Sequence, residues 1–329
     1  MFNCKSVLVT GGTGSFGKKF IKIILNRYPK IERVIVFSRD EFKQFEMSNM
    51  PEFVGNSKLR FFVGDVRDKE RLNRAFDGVD FVVHAAALKQ VPSCEYNPFE
   101  AVKTNILGAQ NVINAAIDKN VKKVIALSTD KACAPVNLYG ATKLCSDKLF
   151  IAGNVYSGSH GTKFSVVRYG NVAGSRGSVI PYFKFLIKSG AKELPITDER
   201  MSRFWLRLED AVEIVLMAFE IMHGGELFVK KIPSMKVIDL AMAVAPNLSL
   251  KYVGIRPGEK IHEVMITKED ARNTLEYDNY YVVKPSFGIK ILDENYKNGK
   301  LVRDGFEYHS GNNHDWLTVD KMKVMINEL

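Results

Sequence analysis

The feature that most constrains this chain is a glycine-rich turn, Thr10-Gly11-Gly12-Thr13-Gly14-Ser15-Phe16-Gly17. It stands between a short apolar run, Val7–Val9, and an amphipathic stretch, Lys18–Asn26. Gly11, Gly14 and Gly17 recur at every third position. Glycine reaches backbone conformations closed to other residues, and its missing side chain lets another backbone or a ligand come close. The amphipathic stretch reads as a helix whose first N–H groups have no partner within the helix. Strand, glycine turn and helix N-terminus, in that order, form the frame that holds the pyrophosphate of a dinucleotide.

Further apolar runs at Arg33–Phe37, Leu59–Val63, Phe81–His84, Val124–Leu127 and Phe164–Arg168 are rich in Val, Ile and Phe. Such runs suit strands buried in a parallel sheet, and the stretches between them are long enough for crossover helices. Ala101–Lys119 carries the apolar periodicity of one long helix. The pattern predicts an α/β fold, a Rossmann-type doubly wound parallel sheet with right-handed crossovers. After Tyr169-Gly170-Asn171 the rhythm changes. Ser178–Ser189 reads as a helix, Gly190–Arg203 as a polar connection, and Glu209–Met222 as a helix. Leu227–Lys231 reads as a strand returning to the sheet, and Val237–Ala245 as a short helix. The expected division is a main dinucleotide-binding domain over 1–170, rejoined by approximately 203–245. A smaller interleaved substrate-binding lobe takes 171–202 and approximately 246–329. With 329 residues, 46% of them hydrophobic, the chain can bury both.

The formal charge of +10 is spread along the sequence, without a basic tail or basic helix. That favours an evenly solvated surface, with a local basic site for a phosphorylated substrate as the sharper alternative, and it supplies no nucleic-acid motif. Cys4, Cys94, Cys133 and Cys145 have neither zinc-ligand spacing nor the density of a secreted disulfide scaffold. No sequence cluster points to a metal. The N-terminus enters the first strand without the layout of a secretory signal, and no apolar run approaches the roughly 20 residues that span a bilayer. The expectation is a cytoplasmic protein with no membrane or nucleic-acid partner.

Gly11, Thr13, Gly14, Ser15, Phe16 and Gly17 are the candidate contacts around the pyrophosphate. The second strand ends in Phe37-Ser38-Arg39-Asp40. An acidic side chain about 20 residues past the glycine turn holds the ribose hydroxyls of NAD. Ser38 cannot do this, whereas Arg39 can grip a ribose phosphate, so the sequence predicts NADP. Asp40 reverses that choice if the strand ends one position later. Asp65 either accepts from the adenine amine, with Val66 packed on the ring, or caps the next helix. Ala85 and Ala86 are small enough for the chain to pass beside the cofactor, and His84 reads as a packed strand-end histidine rather than a base.

A second signal lies far downstream. Tyr139 and Lys143, in Tyr139-Gly140-Ala141-Thr142-Lys143, share one face of a helix. A free tyrosine titrates near about 10, too high for a general base near neutrality, but a nearby ammonium favours its phenolate. Lys143 thus gives Tyr139 a route to act as base, and it can also hydrogen-bond the nicotinamide ribose. Just upstream, Ser128-Thr129-Asp130-Lys131 follows a strand. Thr129 can polarise a substrate hydroxyl or carbonyl. Asp130 and Lys131 form either an exposed ion pair without consequence or an acid–base pair able to remove a carbon-bound proton and assist loss of water.

The glycine turn, His84–Ala87, Tyr139 with Lys143, and Arg256-Pro257-Gly258-Glu259-Lys260 resemble the extended short-chain dehydrogenase/reductase superfamily over essentially the whole chain. Within it, Arg60–Asp68, Ala85–Lys89, Ser128–Lys131 and Asn137–Lys143 are most similar to the inverting UDP-N-acetylglucosamine 4,6-dehydratases of bacterial pseudaminic acid synthesis. Ser310-Gly311-Asn312-Asn313 also resembles that family, except that Gly311 stands where its pattern has histidine.

The resemblance implies that Tyr139 takes the proton of the sugar C4 hydroxyl as hydride passes to NADP. Lys131, when neutral, then removes the C5 proton acidified by the new ketone, and Asp130, when protonated, gives a proton to the departing C6 hydroxyl. Hydride returns to C6 and C5 is reprotonated from the opposite face, giving UDP-2-acetamido-2,6-dideoxy-β-L-arabino-hex-4-ulose.

The resemblance also places Lys89, Asn171, Ser178, Arg203, Arg256 and Glu259 at the nucleotide sugar. Asn171 lies on the phosphate or uridine side. Arg256 is bidentate to the diphosphate, Glu259 accepts from the uridine ribose or orients Arg256, and Arg203 is a further phosphate contact. Plainer readings stand beside these, with Ser178 as a helix N-cap, Lys89 as a solvated turn lysine and Pro257-Gly258 as a turn. A homo-oligomer is implied, a hexamer among the options, with flagellin glycosylation or capsule formation among the downstream uses. Three other functions stay open. A nucleotide-sugar 4-epimerase needs Tyr139 and Lys143 but no elimination pair. A C5-retaining 4,6-dehydratase resembles an Asp–Glu pair where this chain has Asp130-Lys131. The third is a non-enzymatic NADP-sensing scaffold.

Overall fold

The computed structural model describes residues 1–175, 177–286 and 293–328. Strand and helix alternate through β1 (Ser6–Thr10), α1 (Ser15–Arg27), β2 (Arg33–Ser38), α2 (Glu41–Ser48), β3 (Leu59–Val63), α3 (Lys69–Ala75) and β4 (Phe81–His84). Helices α4 (Val91–Tyr96), α5 (Pro98–Val102) and α6 (Gly108–Asp118) lead to β5 (Lys123–Leu127), α7 (Leu138–Tyr156) and β6 (Lys163–Arg168). Next come β7 (Asn171–Val172), α8 (Val179–Lys188), β8 (Glu193–Ile196), β9 (Ser202–Leu206), α9 (Leu208–Ile221) and β10 (Leu227–Lys230). The remainder holds β11 (Ser234–Lys236), α10 (Val237–Val244), β12 (Ser249–Tyr252), β13 (Val264–Ile266), β14 (Thr274–Glu276), β15 (Tyr280–Val283), β16 (Lys300–Leu301), β17 (Tyr308–His309) and α11 (Val319–Asn327).

The principal sheet has ten strands in the order β16-β14-β15-β10-β6-β5-β4-β1-β2-β3. From β10 to β3 all neighbours are parallel, and β1 lies between β2 and β4, so the winding reverses there. This is the doubly wound Rossmann-type sheet, and such a reversal opens a crevice at the C-terminal strand ends. Side chains along each strand alternate between two cores. Leu8, Val82 and Val124 pack with Val112, Ile113 and Phe150 on one face. Val7, Val83 and Ile125 pack with Phe20, Ile24 and Phe219 on the other. Helices cover both faces, which is why the strands read as unbroken apolar runs.

The helix expected over Ala101–Lys119 is interrupted. α5 ends at Val102, a π turn spans Lys103–Leu107, and α6 follows. The wider turn lets the buried Asn105 side chain serve both backbone groups of Leu88, accepting from its N–H at 2.8 Å and donating to its C=O at 2.9 Å. That fixes the segment after β4 beside the crevice.

The expected division of the chain also shifts. β9 pairs with both β7 and β11 in a separate three-stranded sheet, and α10 packs against α8 and α11. Of 203–245, then, β10 alone joins the principal sheet, with α9 packed on one face of it and Phe204, Leu206 and Ile232 reaching the core on the other. Conversely β14, β15 and β16, inside the stretch assigned to the lobe, extend the principal sheet antiparallel beyond β10. Tyr280-Tyr281-Val282-Val283 is aromatic and β-branched, a sequence suited to covering an open strand edge, and no helix separates it from β14 to mark a βα rhythm. No helix among the described residues is long and apolar enough to cross a membrane.

Candidate active site

A cleft of about 1150 Å³ runs from the glycine turn, past the ends of β1, β4 and β5, to the lobe. Its volume exceeds that of the usual single-ligand pocket. At the glycine-turn end it is walled by backbone. Gly11 has φ +65°, and a Cβ there would stand 2.9 Å from the Ala86 amide nitrogen. Glycine is therefore required both for the turn and for the approach of Ala85 and Ala86. The Thr10 hydroxyl accepts from the Ala85 and Ala86 N–H groups at 3.2 and 3.3 Å and lies 2.8 Å from His84 Nδ1. Burial pushes the His84 imidazole down to about 3, so it stays neutral and serves as a packed hydrogen-bond partner.

Helix α1 starts with Gly14 as N-cap, no side-chain cap and no carboxylate in its first turn. Its free N–H groups and dipole thus face the cleft open to an anion. Thr13, Gly14, Ser15 and Phe16 line the cleft. Gly17 instead packs behind the turn, where a Cβ would lie 2.4 Å from the Gly12 oxygen.

At the end of β2, the Ser38 hydroxyl accepts from Gln44 Nε2 at 3.0 Å, and Asp40 caps α2 by accepting from the Lys43 N–H at 3.0 Å. Arg39 Nη1 lies 3.6 Å from Asp65 Oδ2. Asp65 accepts from the Arg67 backbone N–H, Nε and Nη2 at 2.9, 2.9 and 2.7 Å. Burial works to raise this carboxyl, but the hydrogen bonds from Arg67 outweigh it and hold the group below its ordinary value. The cap of α3 is Asp68, not Asp65. Val66 lines the cleft beside Asp65.

Past β5 the chain enters a 3₁₀ turn, Asp130–Ala132, with Thr129 as its cap. Helix α7 presses against this turn so closely that a Cβ on Gly140 would lie 2.1 Å from the Lys131 carbonyl oxygen. The glycine of the Tyr139–Lys143 motif is thus what allows Tyr139 and Lys131 to share one site. Asn137 caps α7 by accepting from the Gly140 N–H at 2.8 Å, and its amide donates to the Gly258 carbonyl at 2.8 Å. That bond pins the Arg256–Lys260 segment to the same helix.

Burial pushes the Tyr139 phenol up to about 12, with the Lys131 charge and the nearby Thr129 hydroxyl working the other way. Lys131 is a cation that favours the Tyr139 phenolate. Lys143 is itself buried, and desolvation lowers it while Asp147 partly restores its charge. Lys131 Nζ lies 3.1 Å from Asp130 Oδ1 and 3.2 Å from Glu263 Oε1. Burial disfavours the ammonium, but the two carboxylates outweigh it and raise Lys131 above an ordinary lysine. Asp130 is fully buried behind the cleft lining, and its Oδ2 has no partner. Burial raises its carboxyl. The Thr129 hydroxyl donates to Asp130 Oδ1 at 3.0 Å.

Glu263 was not foreseen from the sequence. It is buried, lines the cleft, and also lies 3.8 Å from Arg203 Nε and 3.8 Å from Lys260 Nζ. The only signal was the run of charges from Arg256 to Glu263, and nothing in its spacing ties it to β5. Thr104 and Trp205 were missed too, and both line the cleft with a buried hydroxyl or indole N–H that lacks a partner.

Lys89, Asn171, Ser178, Arg203, Arg256 and Glu259 all line the lobe side of the cleft. Ser178 occupies the N-cap position of α8, yet its hydroxyl makes no cap bond and has no partner. Arg203 donates through Nη1 to the Ser202 and Ile261 carbonyls at 2.7 and 3.1 Å, so it clamps β9 to the 256–263 segment. This leaves it fewer donors for a phosphate than expected. Arg256 is exposed, with Nε 3.9 Å from Glu259. At Gly311 a Cβ would lie 2.7 Å from the His262 ring, so the departure from the family's histidine makes room for His262.

A family model described as polysaccharide biosynthesis protein matches residues 7–285. An inverting UDP-N-acetylglucosamine 4,6-dehydratase of Campylobacter jejuni subsp. jejuni serotype O:23/36 (strain 81-176) is 58% identical over 335 residues, covering 99% of this chain and 98% of that protein. A UDP-glucose 4-epimerase of Rickettsia typhi (strain ATCC VR-144 / Wilmington) is 45% identical, covering 99% and 96%. The solved structure of Pen from Bacillus thuringiensis aligns with a TM-score of 0.90 at 37% identity, covering 100% of this chain and 98% of Pen.

The expectation of NADP is corrected by two further structures. DesIV, a dTDP-glucose 4,6-dehydratase from Streptomyces venezuelae, was solved with NAD bound (TM-score 0.68, 25% identity, 78% and 86% covered). The UDP-glucose 4-epimerase of Thermus thermophilus was solved as a complex with NAD (TM-score 0.64, 25% identity, 77% and 88% covered). The physical reason lies in Arg39, whose guanidinium already faces the Asp65 carboxylate instead of standing free for a ribose phosphate. With a family match over most of its length and 58% identity across nearly all of it, the chain belongs to the family of inverting UDP-N-acetylglucosamine 4,6-dehydratases.

Proposed function

We propose that this protein is a C5-inverting UDP-N-acetylglucosamine 4,6-dehydratase working with bound NAD. One observation carries the reading: Lys131, with Asp130 buried 3.1 Å behind it, and Tyr139, which suit elimination and alcohol oxidation respectively, meet at one cleft because Gly140 lets α7 touch the turn after β5. The uncapped α1 N-terminus and the close Gly11–Ala86 approach fit a dinucleotide pyrophosphate. Lys143, Asp65, Val66, Ala85, Ala86, Ser38 and Arg39 line the rest of that end of the cleft and would hold the remainder of the dinucleotide. NAD held there supplies the acceptor for hydride from C4 and the donor of hydride to C6.

Tyr139 takes the proton of the C4 hydroxyl, with the Lys131 charge favouring its phenolate and Thr129 lining the cleft beside it. The C4 ketone acidifies C5, whose proton passes to Lys131. Asp130 protonates the C6 hydroxyl as it leaves as water, and C5 is reprotonated from the other face. Lys89 faces the sugar, while Asn171, Ser178, Arg203, Arg256 and Glu259 hold the diphosphate and uridine side. In this reading the principal sheet holds NAD and the interleaved lobe holds the UDP-sugar. Following the family resemblance, we further infer a cytoplasmic homo-oligomer, a hexamer among the options, that feeds pseudaminic acid synthesis and flagellin glycosylation. Light scattering reads the assembly directly.

The test is incubation with UDP-N-acetylglucosamine and NAD in heavy water. NMR should show a 4-keto-6-deoxy product of L-arabino configuration, with solvent deuterium at C5 and no stoichiometric consumption of NAD. Recovery of UDP-N-acetylgalactosamine alone would place the chain with its epimerase relatives. A 4-keto-6-deoxy product with retained C5 would leave the reaction class and defeat the inversion.

A further inference from the structure

On the dehydratase reading, elimination needs Lys131 as a neutral amine, yet its ammonium is clasped by two carboxylates. The reaction as written uses only Asp130. Glu263 comes from the segment entering β13, far along the chain, and brings Oε1 to 3.2 Å from Lys131 Nζ, while its Oε2 has no hydrogen-bond partner. Its placement is built. The Glu263 N–H donates to Ser310 Oγ at 2.9 Å, the Ser310 N–H donates to the Glu263 carbonyl at 2.8 Å, and Ser310 Oγ lies 2.8 Å from Ser202 Oγ. Glu263 Oε2 is held only by the longer ion-pair contact to Lys260 Nζ at 3.8 Å, and a buried carboxylate oxygen without a hydrogen bond costs folding free energy. We propose that Glu263 is a positioning residue for the dehydration step, holding the Lys131 amine at the cleft wall and setting the proton balance of the Asp130–Lys131 pair.

The charges around the two carboxylates differ. Asp130, from the same turn, Tyr139 from α7, Glu263, Arg203 from β9 and Lys89 from the segment after β4 all act on Lys131. Lys131, Arg203, Lys260 and Asp130 act on Glu263. Burial works to raise Glu263, but its three cations outweigh burial and hold it ionised. Asp130 is fully buried and repelled by Glu263, with Lys131 as its paired cation, so it is the carboxylate of the two that takes a proton. Transfer of one proton along the 3.1 Å contact from Lys131 Nζ to Asp130 Oδ1 breaks an N–H bond, forms an O–H bond and leaves an amine beside a carboxylic acid. Glu263 keeps its charge throughout. Loss of the Lys131 proton to solvent at higher pH yields the same amine, and by stabilising the ammonium Glu263 fixes the pH of that step.

The experiment follows the rate of C5 solvent exchange against pH with UDP-N-acetylglucosamine and NAD. Glu263→Gln keeps the shape and removes the charge. Its exchange rate should level off about one pH unit or more below the wild-type plateau, the scale of shift a close opposite charge produces. Glu263→Asp, which keeps the charge, should level off near the wild-type pH, and NAD affinity should be unchanged in both. A slower rate or lower melting temperature in both variants with no movement of the plateau would mean that Glu263 only supports the fold, and would overturn the proposal.

Titration of Lys131 by NMR in the ε-labelled wild type, with its signal assigned by Lys131→Arg, tests the same point without turnover or a Glu263 variant. A Lys131 titrating at or below the ordinary lysine value of about 10.4 would also overturn it. Absence of any dehydration by the wild type would sink the enzymatic reading instead, and the NMR titration would still decide the role of Glu263.

Discussion

The two ends of the cleft are built from opposite materials. At the dinucleotide end the pyrophosphate frame is backbone, with Gly11 against Ala86, an α1 N-terminus without cap or carboxylate, and a histidine kept neutral by burial. The reacting end is charge. Asp130 and Lys131 come from the turn after β5, Arg203 from β9, and Lys260 and Glu263 from the segment before β13, all within about one ion-pair distance of a neighbour. Backbone N–H groups read an anion and little else, so the first end suits any enzyme using a dinucleotide. The second end depends on which side chains balance which, and it decides the reaction. Consistent with this, the chain shares its whole length with proteins named as dehydratases and as epimerases.

The largest effect should come from deleting the centre of the charged end. Lys131→Ala should slow C5 exchange and dehydration by roughly 10²–10⁴-fold, the range for losing a general acid or base. NAD affinity, measured by fluorescence quenching, should stay within about twofold, because the dinucleotide end contacts the cofactor mainly through backbone. A parallel loss of NAD affinity would show that the two ends are not separable.

Next come two glycines, one at each end. Gly140→Ala drives a Cβ into the Lys131 carbonyl, 2.1 Å away. Moving Tyr139 relative to Lys131 by about 1 Å should cost on the order of 10²-fold in turnover with NAD affinity kept. Gly11→Ala forces φ +65° on a residue with a Cβ that also meets Ala86 at 2.9 Å. It should weaken NAD by roughly 5–150-fold, the equivalent of about 1–3 kcal/mol of backbone strain. Isothermal titration and single-turnover kinetics on both variants would separate these effects. If both lost NAD equally, the comparison would fail.

What was legible in the sequence follows the same divide. The glycine turn, the six leading strands and the Tyr139–Lys143 helix were readable because each is a local pattern with its own period or spacing. Glu263 was not, since its meaning depends on β13 and β17 pairing to bring Ser310 and the 256–263 segment under β5. The π turn at Lys103–Leu107 escaped for a related reason, as the apolar period continues through it while Asn105 answers to Leu88, a residue from another segment. The antiparallel strands β14–β16 lacked the helix-bearing rhythm that had marked the others. NADP was favoured from Arg39 and the lack of an acid at Phe37-Ser38, and the Asp65 facing Arg39 belongs to the next strand's exit.

A middle-sized effect should appear in stability. His84 is held neutral, with its imidazole pushed down to about 3 by burial, against an ordinary value near 6.5. Below about 6.5 the unfolded chain binds a proton that the folded chain refuses, so stability falls as pH drops from there toward 3. At pH 5 the loss from this one group is roughly 2 kcal/mol. Urea unfolding at pH 7 and pH 5 should show it, and His84→Gln should flatten that part of the slope. An unchanged slope in the variant would mean that His84 takes a proton in place.

The smallest effect tests the corrected cofactor assignment. Arg39 has a half-exposed side chain and meets Asp65 at 3.6 Å. An ion pair in such a setting contributes about 0–1 kcal/mol, and salt screens it. Arg39→Ala should therefore change NAD affinity by no more than about fivefold, less as ionic strength rises, and should leave turnover at saturating NAD intact. Release of Asp65 from one of its two arginines leaves Arg67 hydrogen-bonded to it, so the carboxylate stays ordered at the adenosine end. A tenfold or greater loss of NAD affinity would show Arg39 to be a direct cofactor contact, and a side chain would then share the work that the backbone is credited with at this end of the cleft.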